Sequence, residues 1–166
     1  MAKFTFPSLE TERLVLRLLT LKDGPAVFRH FADEEVTRFM DIAPCKDLQE
    51  AEEIIRFHLE DSGCRWGLFD KKNGELVGTS GYHCWVTKPE RRAEIGFDLS
   101  KSYWGLGYMT EALKPILAYG FGPMNLERIE ATVEPGNARS RRLLEKLGFQ
   151  AGGELVEGLI YYDLKP

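Results

Sequence analysis

The segment Tyr103–Thr110 has the sequence YWGLGYMT and lies between a predicted strand and a predicted helix. The strand, 91–99, shows a period of two, and apolar residues recur at helical spacing over 109–117. Backbone N–H groups at the start of a helix have no partner within the helix, and the helix dipole makes this end positive. Gly105 and Gly107 let a phosphate approach the backbone without meeting a Cβ atom. The segment therefore indicates a site for a pyrophosphate.

Two common nucleotide-binding motifs do not fit this segment. The chain contains no G-x-x-x-x-G-K-[ST] sequence, which argues against a P-loop kinase. Thr110 stands where G-x-G-x-x-G requires its third glycine, and the preceding strands do not form a leading βαβ unit. Two interpretations remain at this point: a pyrophosphate site in a mixed sheet, or a tight strand-to-helix turn that binds nothing.

The remaining pattern predicts a mixed α/β fold in the order β-α-α-β-β-β-α-β-α-β-β. Strands are predicted at 13–18, 65–70, 75–85, 91–99, 126–134, 149–154 and 159–165, and helical regions at 20–40, from 47, from 109 and from 137. The central strands form an antiparallel meander, and two helices cross over late in the chain. Pro115 lies inside the third helical region and should kink it or disturb its early turns.

The composition is that of a soluble, globular protein, and we expect a single domain over residues 1–166. Hydrophobic residues make up 43% and charged residues 29% of the chain. The net charge of −4 argues against a nucleic-acid partner, and no apolar run approaches the roughly 20 residues that cross a membrane. Cys45, Cys64 and Cys84 include no C-x-x-C pair, which argues against a disulfide framework and a zinc knuckle. These features, and an N-terminus without the apolar core of a signal peptide, favour a cytoplasmic location.

Three motifs identify a family. The segment Tyr103–Ala112 resembles motif A of the GNAT acetyltransferase superfamily, in the form found in the ribosomal-protein N-acetyltransferase (RimJ/RimL-like) branch. Leu9–Arg17 resembles the same branch, and so does Asn137–Ser140 followed by Leu144–Phe149. The resemblance covers essentially the whole chain. It implies a GNAT fold, with a central, mostly antiparallel, twisted sheet of about six to seven strands that splays at strands four and five, and about four helices.

The resemblance also implies that acetyl-CoA is the co-substrate and that no metal takes part. Amides from about Leu106 to Thr110 would bind the pyrophosphate, and the pantetheine arm would enter the gap between the splayed strands. Trp104 occupies the family's Gln/Arg position, and the bulky Met109 replaces a small residue, so its N–H would serve the phosphate. The implied binding residues are Phe97, Asp98, Leu99, Trp104, Gly105, Leu106, Gly107, Tyr108, Met109, Thr110, Asn137 and Ser140.

Acetyl transfer to an amine benefits from a base, because the attacking nitrogen must lose a proton. Glu94 is the candidate, since many family members carry an acid near this position on the strand that leads to the acetyl group. The alternative is a solvent-facing or salt-bridged glutamate beside Arg91 and Arg92. His83 is a second candidate base, with a hydrogen-bonded strand histidine as its alternative.

The leaving thiolate can also receive a proton. Many GNAT enzymes use a tyrosine seven residues after the motif asparagine, but Leu144 stands at that distance from Asn137. Ser140 is the substitute that the branch suggests, as an acid or as a group that binds the sulfur. A helix serine that is satisfied by local backbone groups is the alternative.

The resemblance implies direct acetyl transfer to a primary amine in a ternary complex. It favours the N-terminal amine of a protein, with a polyamine, an amino acid or an amine drug as other acceptors. The first two helices and the last hairpin should form the acceptor site, and the chain is expected to be a monomer or a homodimer without a membrane partner. A non-catalytic acyl-CoA sensor would keep the loop and Asn137 without needing Glu94 or Ser140, and a structural domain would bind no CoA at all.

Overall fold

One mixed sheet of eight strands forms the centre of the molecule, according to a computed structural model that describes residues 6–166. All neighbouring strands are antiparallel except β5 and β6, which are parallel. The spatial order is β1-β2-β3-β4-β5-β6-β8-β7. The strands are β1 (Leu9–Glu10), β2 (Leu14–Leu18), β3 (Cys64–Asp70), β4 (Leu76–Val86), β5 (Arg92–Leu99), β6 (Arg128–Val133), β7 (Gln150–Val156) and β8 (Leu159–Leu164).

Five α-helices accompany the sheet in the described part of the chain. They are α1 (Gly24–Phe31), α2 (Glu34–Thr37), α3 (Leu48–Glu60), α4 (Tyr108–Phe121) and α5 (Ala138–Lys146). The predicted numbers of about six to seven strands and four helices are therefore slightly low. The two-residue β1 is too short to show a period, and the helical region expected over 20–40 divides at Asp33. The extended backbone of Asp33 interrupts the helical region. The Asp33 side chain then accepts a hydrogen bond from Glu35 N at 2.9 Å and caps α2 as a separate helix.

Helices pack on both faces of the sheet. Buried residues of α4 and α5, among them Leu113 and Leu144, share a cluster with Trp66 of β3, while Val27 and Ile55 of α1 and α3 belong to a second cluster. Full burial of one such side chain contributes about 1.5–3 kcal/mol. Helix α4 is continuous through Pro115, so the proline does not end it. No helix within residues 6–166 has the length and apolar character required to traverse a bilayer.

Strands β5 and β6 diverge halfway along their length. Their parallel pairing joins Arg92–Glu94 to Arg128–Glu130 and stops there, although β5 continues to Leu99 and β6 to Val133. Strand β5 remains paired with β4 as far as the Leu99–Gly78 pair. The gap is the splay expected at strands four and five, which become β5 and β6 once the short β1 is counted.

Candidate active site

A cavity of about 680 Å³ opens at the divergence of β5 and β6. This volume lies within the usual range for small-molecule sites. Every site residue expected from the sequence lines the cavity except Leu106, whose side chain is exposed. The expected residues that meet there are Glu94, Phe97, Asp98, Leu99, Trp104, Gly105, Gly107, Tyr108, Met109, Thr110, Asn137 and Ser140.

Two glycines shape the loop that precedes α4. Gly105 and Gly107 have φ angles of +74° and +82°. These angles lie in the left-handed region, which L-residues enter at a cost of about 1–2 kcal/mol. Gly107 is the N-cap of α4, so the N–H groups at the first positions of the helix have no intrahelical acceptor. The Trp104 indole donates to the carbonyl of Leu99 at 2.8 Å and joins the loop to the end of β5. The arrangement presents unpaired donors at the positive end of a helix, as an anion site requires.

The N-terminal motif holds this loop in place. Arg13 donates to the Glu111 carboxylate from its backbone N at 2.9 Å and from Nε at 2.7 Å, and Thr11 donates to the same carboxylate at 2.5 Å. Arg13 Nη1 also donates to the Leu106 carbonyl at 3.0 Å, and its guanidinium lies 3.9 Å from the ring centre of Tyr108. In the sequence this motif is only a family marker, because its partners are about 100 residues away along the chain.

A basic face of α5 lies beside the same loop. The Arg139 guanidinium stacks 3.2 Å from the ring centre of Trp104, and Arg139, Arg142 and Lys146 all line the cavity. Their spacing of three and seven residues places them on one side of the helix. These three residues were not among the predicted site residues, although their spacing is visible in the sequence. They suit a ligand that carries several phosphate charges.

Asn137 and Ser140 begin α5 at the edge of the cavity. The side-chain oxygen of Asn137 accepts from the backbone N of Ser140 at 3.3 Å, which caps the helix and leaves the amide NH₂ for a ligand. The Ser140 hydroxyl makes no hydrogen bond with any residue in 6–166. The role of its hydroxyl toward a bound thioester stays a prediction.

Glu94 lies in the cavity with two polar partners. Its Oε1 accepts from the Thr132 hydroxyl at 2.9 Å and lies 3.5 Å from His83 Nε2. The contact with His83, and less strongly that with Thr132, holds the pKa of Glu94 below its ordinary value, although burial opposes the shift. The expected alternative partners are engaged elsewhere, since Arg91 pairs with Glu127 and Arg92 with Glu130. Glu94 thus lines the cavity and pairs with His83 rather than with Arg91 or Arg92, and its role as a base stays a prediction.

The Asp98 side chain has a structural environment. Its carboxylate is buried and contacts His30 Nε2, accepts from Arg65 Nη2 at 2.7 Å, and accepts from the Thr79 hydroxyl at 2.6 Å. Burial opposes ionisation, but attraction to His30 and then to Arg65 outweighs it and lowers the pKa of Asp98 to about 2. Only the backbone of Asp98 is left to contact a ligand in the gap.

The other end of the cavity differs from expectation. The last hairpin contributes no lining residue, and its buried Tyr162 hydroxyl lies 3.4 Å from Glu145. The segment that includes α2 and the residues after it supplies this wall instead, with Glu35, Phe39 and Met40 among them. That helical segment lines this end of the cavity, and the assignment of the acceptor site to the first two helices and the last hairpin stays a prediction.

Comparison with known proteins shows that this is the site of an acyltransferase. The family model described as "Acetyltransferase (GNAT) domain" matches residues 13–150. The chain belongs to the GNAT acetyltransferase family, and it is an N-acetyltransferase enzyme.

Two relatives and one solved structure illustrate the match. The chain is 40% identical over 152 residues to the uncharacterized N-acetyltransferase p20 of Bacillus licheniformis, covering 89% of this chain and 85% of the relative. It is 31% identical over 160 residues to the [ribosomal protein uS5]-alanine N-acetyltransferase of Escherichia coli (strain K12), covering 92% and 82%. It shares its fold, at a TM-score of 0.84 and 16% identity, with RimL, a ribosomal L7/L12 alpha-N-protein acetyltransferase in complex with coenzyme A, covering 96% and 98%.

Proposed function

We propose that this chain, acting as one domain over residues 1–166, transfers the acetyl group of acetyl-CoA to a primary amine. The observation that carries the proposal is the pair of positive-φ glycines, Gly105 and Gly107, at the start of α4 beside the gap between β5 and β6. The unpaired N–H groups from Tyr108 to Thr110 bind the pyrophosphate of CoA. The RimL structure that shares the fold contains coenzyme A, which supports this choice of ligand.

The rest of the donor lies along the gap. The pantetheine arm pairs with the free backbone edge at Phe97, Asp98 and Leu99, and the Asn137 amide donates to it from the other side. The basic face of α5 lies on the same side of the cavity as the loop and binds the remaining phosphate charge. This order brings the thioester to the part of β5 that follows Glu94.

The reaction is direct transfer in a ternary complex. The amine nitrogen attacks the thioester carbon, a C–N bond forms, the C–S bond breaks, and the amine proton leaves toward Glu94. A main-chain N–H near Leu99 stabilises the oxyanion. Ser140 binds the sulfur, or relays a proton from solvent to the thiolate and is itself reprotonated by that solvent. The thiolate leaves readily because a thiol has a pKa near ~8.5.

The weak basicity of a carboxylate bears on the kind of amine, and the pKa of Glu94 lies below the ordinary value. An ionised carboxylate of low basicity accepts a hydrogen bond well but retains a proton poorly, so an acceptor that is already partly neutral suits it best. At pH 7.5 about a third of α-amines are neutral, against roughly 0.1% of lysine-type amines. We therefore favour a protein N-terminal amine, in agreement with the name of the E. coli relative. His83 remains the second candidate base.

A panel of amines tests the proposal. Acetyl-CoA turnover is followed as free thiol release with a peptide that has a free N-terminus, its N-terminally blocked form with an internal lysine, a polyamine, an amino acid and an amine drug. We expect the free N-terminus to react fastest. Tight CoA binding without thiol release from any amine, or without acetylated products by mass spectrometry after incubation with a cell extract, would favour the acyl-CoA sensor.

Replacement of Glu94 tests the catalytic assignment. Glu94→Gln should lower kcat by about 10²- to 10⁴-fold, the usual contribution of a general base, without changing CoA affinity. The matched control is Glu127→Gln, which alters an exposed glutamate next to β6 outside the cavity lining. A larger loss in His83→Gln than in Glu94→Gln would transfer the role of base to the histidine.

A further inference from the structure

We propose that His83, Cys84 and Glu94 form a binding site for a borderline-soft divalent metal ion, Zn²⁺ in particular, and that the bound ion blocks acetyl transfer. The metal site depends only on the geometry of the three side chains, whereas the block rests on the proposed role of Glu94. The cysteine spacing in the sequence predicts no zinc site. The cluster forms only because β4 and β5 pair in a particular register.

The distances fit a four-coordinate ion. One ligand atom from each residue lies within 4.8 Å of the other two, and His83 Nε2 is 3.5 Å from Glu94 Oε1. Tetrahedral Zn²⁺ with bonds of about 2.0–2.3 Å places neighbouring ligand atoms roughly 3.3–3.7 Å apart. The imidazole and the carboxylate already have this separation. The sulfur needs to approach by about 1 Å or less, which a small rotation of its side chain provides.

A β-bulge brings the cysteine to this position. His83 pairs with Glu94 and Val86 with Arg92, so Cys84 and Trp85 together stand opposite one residue of β5. Consecutive strand residues normally point to opposite faces, but the bulge places the sulfur of Cys84 beside the imidazole of His83. Cys84 has a φ of +52°, which is uncommon for a residue other than glycine. Such strained backbone is concentrated at functional sites.

The donor set selects the metal. Imidazole, thiolate and carboxylate together suit Zn²⁺ and Co²⁺, whereas Mg²⁺ and Ca²⁺ prefer oxygen ligands alone. Three protein ligands leave the fourth position for water. The Thr132 hydroxyl fixes the Glu94 carboxylate, as outer partners do for metal ligands. Cys84 is exposed and His83 and Glu94 line the cavity, so an ion can enter, and the thiol proton passes to solvent as the thiolate binds.

The bound ion would stop the reaction. Glu94 cannot accept the amine proton while its carboxylate coordinates a cation. The metal-bound water also occupies the part of the cavity where the amine must approach the thioester. An ion at this cluster therefore inhibits acetyl transfer and leaves the CoA loop, which lies at the other end of β5, unaffected.

Cobalt provides a test that does not depend on activity. We expect Co²⁺ added to the full chain to bind with one equivalent and to produce a thiolate-to-cobalt charge-transfer band in the near ultraviolet. Cys84→Ser should abolish the band, whereas Cys45→Ala, which removes a buried cysteine of the second core cluster, should preserve it. His83→Gln and Glu94→Gln should each weaken the affinity by about tenfold or more. The absence of a band in the unaltered chain, or its survival in Cys84→Ser, would overturn the site.

Inhibition by Zn²⁺ is measured separately, with the acetylated peptide quantified by mass spectrometry because Zn²⁺ also binds the thiol of free CoA. Each variant is compared with its own rate in the presence of a chelator. The concentration for half inhibition should rise at least about tenfold in Cys84→Ser. Equal inhibition of Cys84→Ser and the unaltered chain would refute the block.

Cobalt binding without any inhibition would uphold the metal site and refute the role of Glu94. The amine panel, measured without metal, tests the transferase activity itself.

Discussion

Replacement of Gly107 by alanine tests the link between the loop conformation and CoA binding. Gly107 has a φ of +82°, and a Cβ added there would lie 3.5 Å from Arg13 Nη2, an ordinary contact distance. The added methyl group therefore fits the free protein, and the backbone conformation is what resists the change. An L-residue in this region costs about 1–2 kcal/mol.

This cost can appear in two measurements. If the altered loop keeps its conformation, unfolding free energy falls by about 1–2 kcal/mol, which lowers Tm by roughly 2–8 °C in a chain of this size. If the loop relaxes, stability is retained, but CoA must restore the strained conformation, and its Kd rises about 5- to 30-fold. The Cβ would also stand between the helix start and the pyrophosphate, which weakens binding in both cases. Gly107→Asp adds like-charge repulsion and should weaken it further.

Gly74→Ala is the matched control. Gly74 has a φ of +75° and open space around its Cβ position, but it lies in the turn between β3 and β4. Isothermal titration with CoA and thermal unfolding are performed on both variants. We expect similar or greater stability loss in Gly74→Ala, with unchanged CoA affinity. A Kd for Gly107→Ala and Gly107→Asp within about twofold of the unaltered chain would refute the pyrophosphate assignment.

Three further predictions concern other parts of the site. Arg13→Lys should raise the Kd of CoA several-fold with kcat at saturation unchanged. Arg17→Lys alters the ion pair between Arg17 of β2 and Asp23, away from the loop, and should leave both values unchanged. Ser140→Ala should lower kcat across the pH range if the hydroxyl protonates the thiolate, and intact turnover at every pH would refute that role. The pKa of Asp98, about 2, lies below its value in the unfolded chain. The stability that ionised Asp98 contributes is therefore present above about pH 4 and should be lost as the pH falls toward 2, as measured by urea unfolding. In Asp98→Asn this part of the pH dependence should be absent.

Most of the fold was predictable from sequence because its signals are local. The alternation in β2 and the helical spacing in α4 depend on neighbouring residues, and capping side chains such as Asp47, which accepts from Glu50 N at 2.9 Å, mark helix starts directly. The short β1 and the separate α2 were missed for the same reason, since each is too brief to contain a full period. The divergence of β5 and β6 was expected only through the family resemblance.

The glycine loop was easier to recognise in the sequence than the surroundings of Glu94. A glycine loop at a helix start is a continuous segment, so position and residue type are enough to indicate it. The environment of Glu94 depends on the register of three strands, which place His83 and Thr132 beside it. The long-range contacts of Arg13 with Glu111 are equally invisible in a single sequence. No local pattern encodes these distances.

The buried network around Asp98 explains how β5 keeps its position after its pairing with β6 ends. Beyond Glu94 the strand has no pairing with β6, so one edge of its backbone is free for a ligand. On the sheet face, however, the Asp98 carboxylate ties the strand to β3 through Arg65 and to α1 through His30. A buried ion pair adds little net stability, but removal of one partner costs about 3–5 kcal/mol, because an uncompensated charge remains. We interpret the network as the contact that fixes the unpaired edge of β5. Strand β5 therefore forms a rigid wall of the cavity on the side that faces the gap to β6.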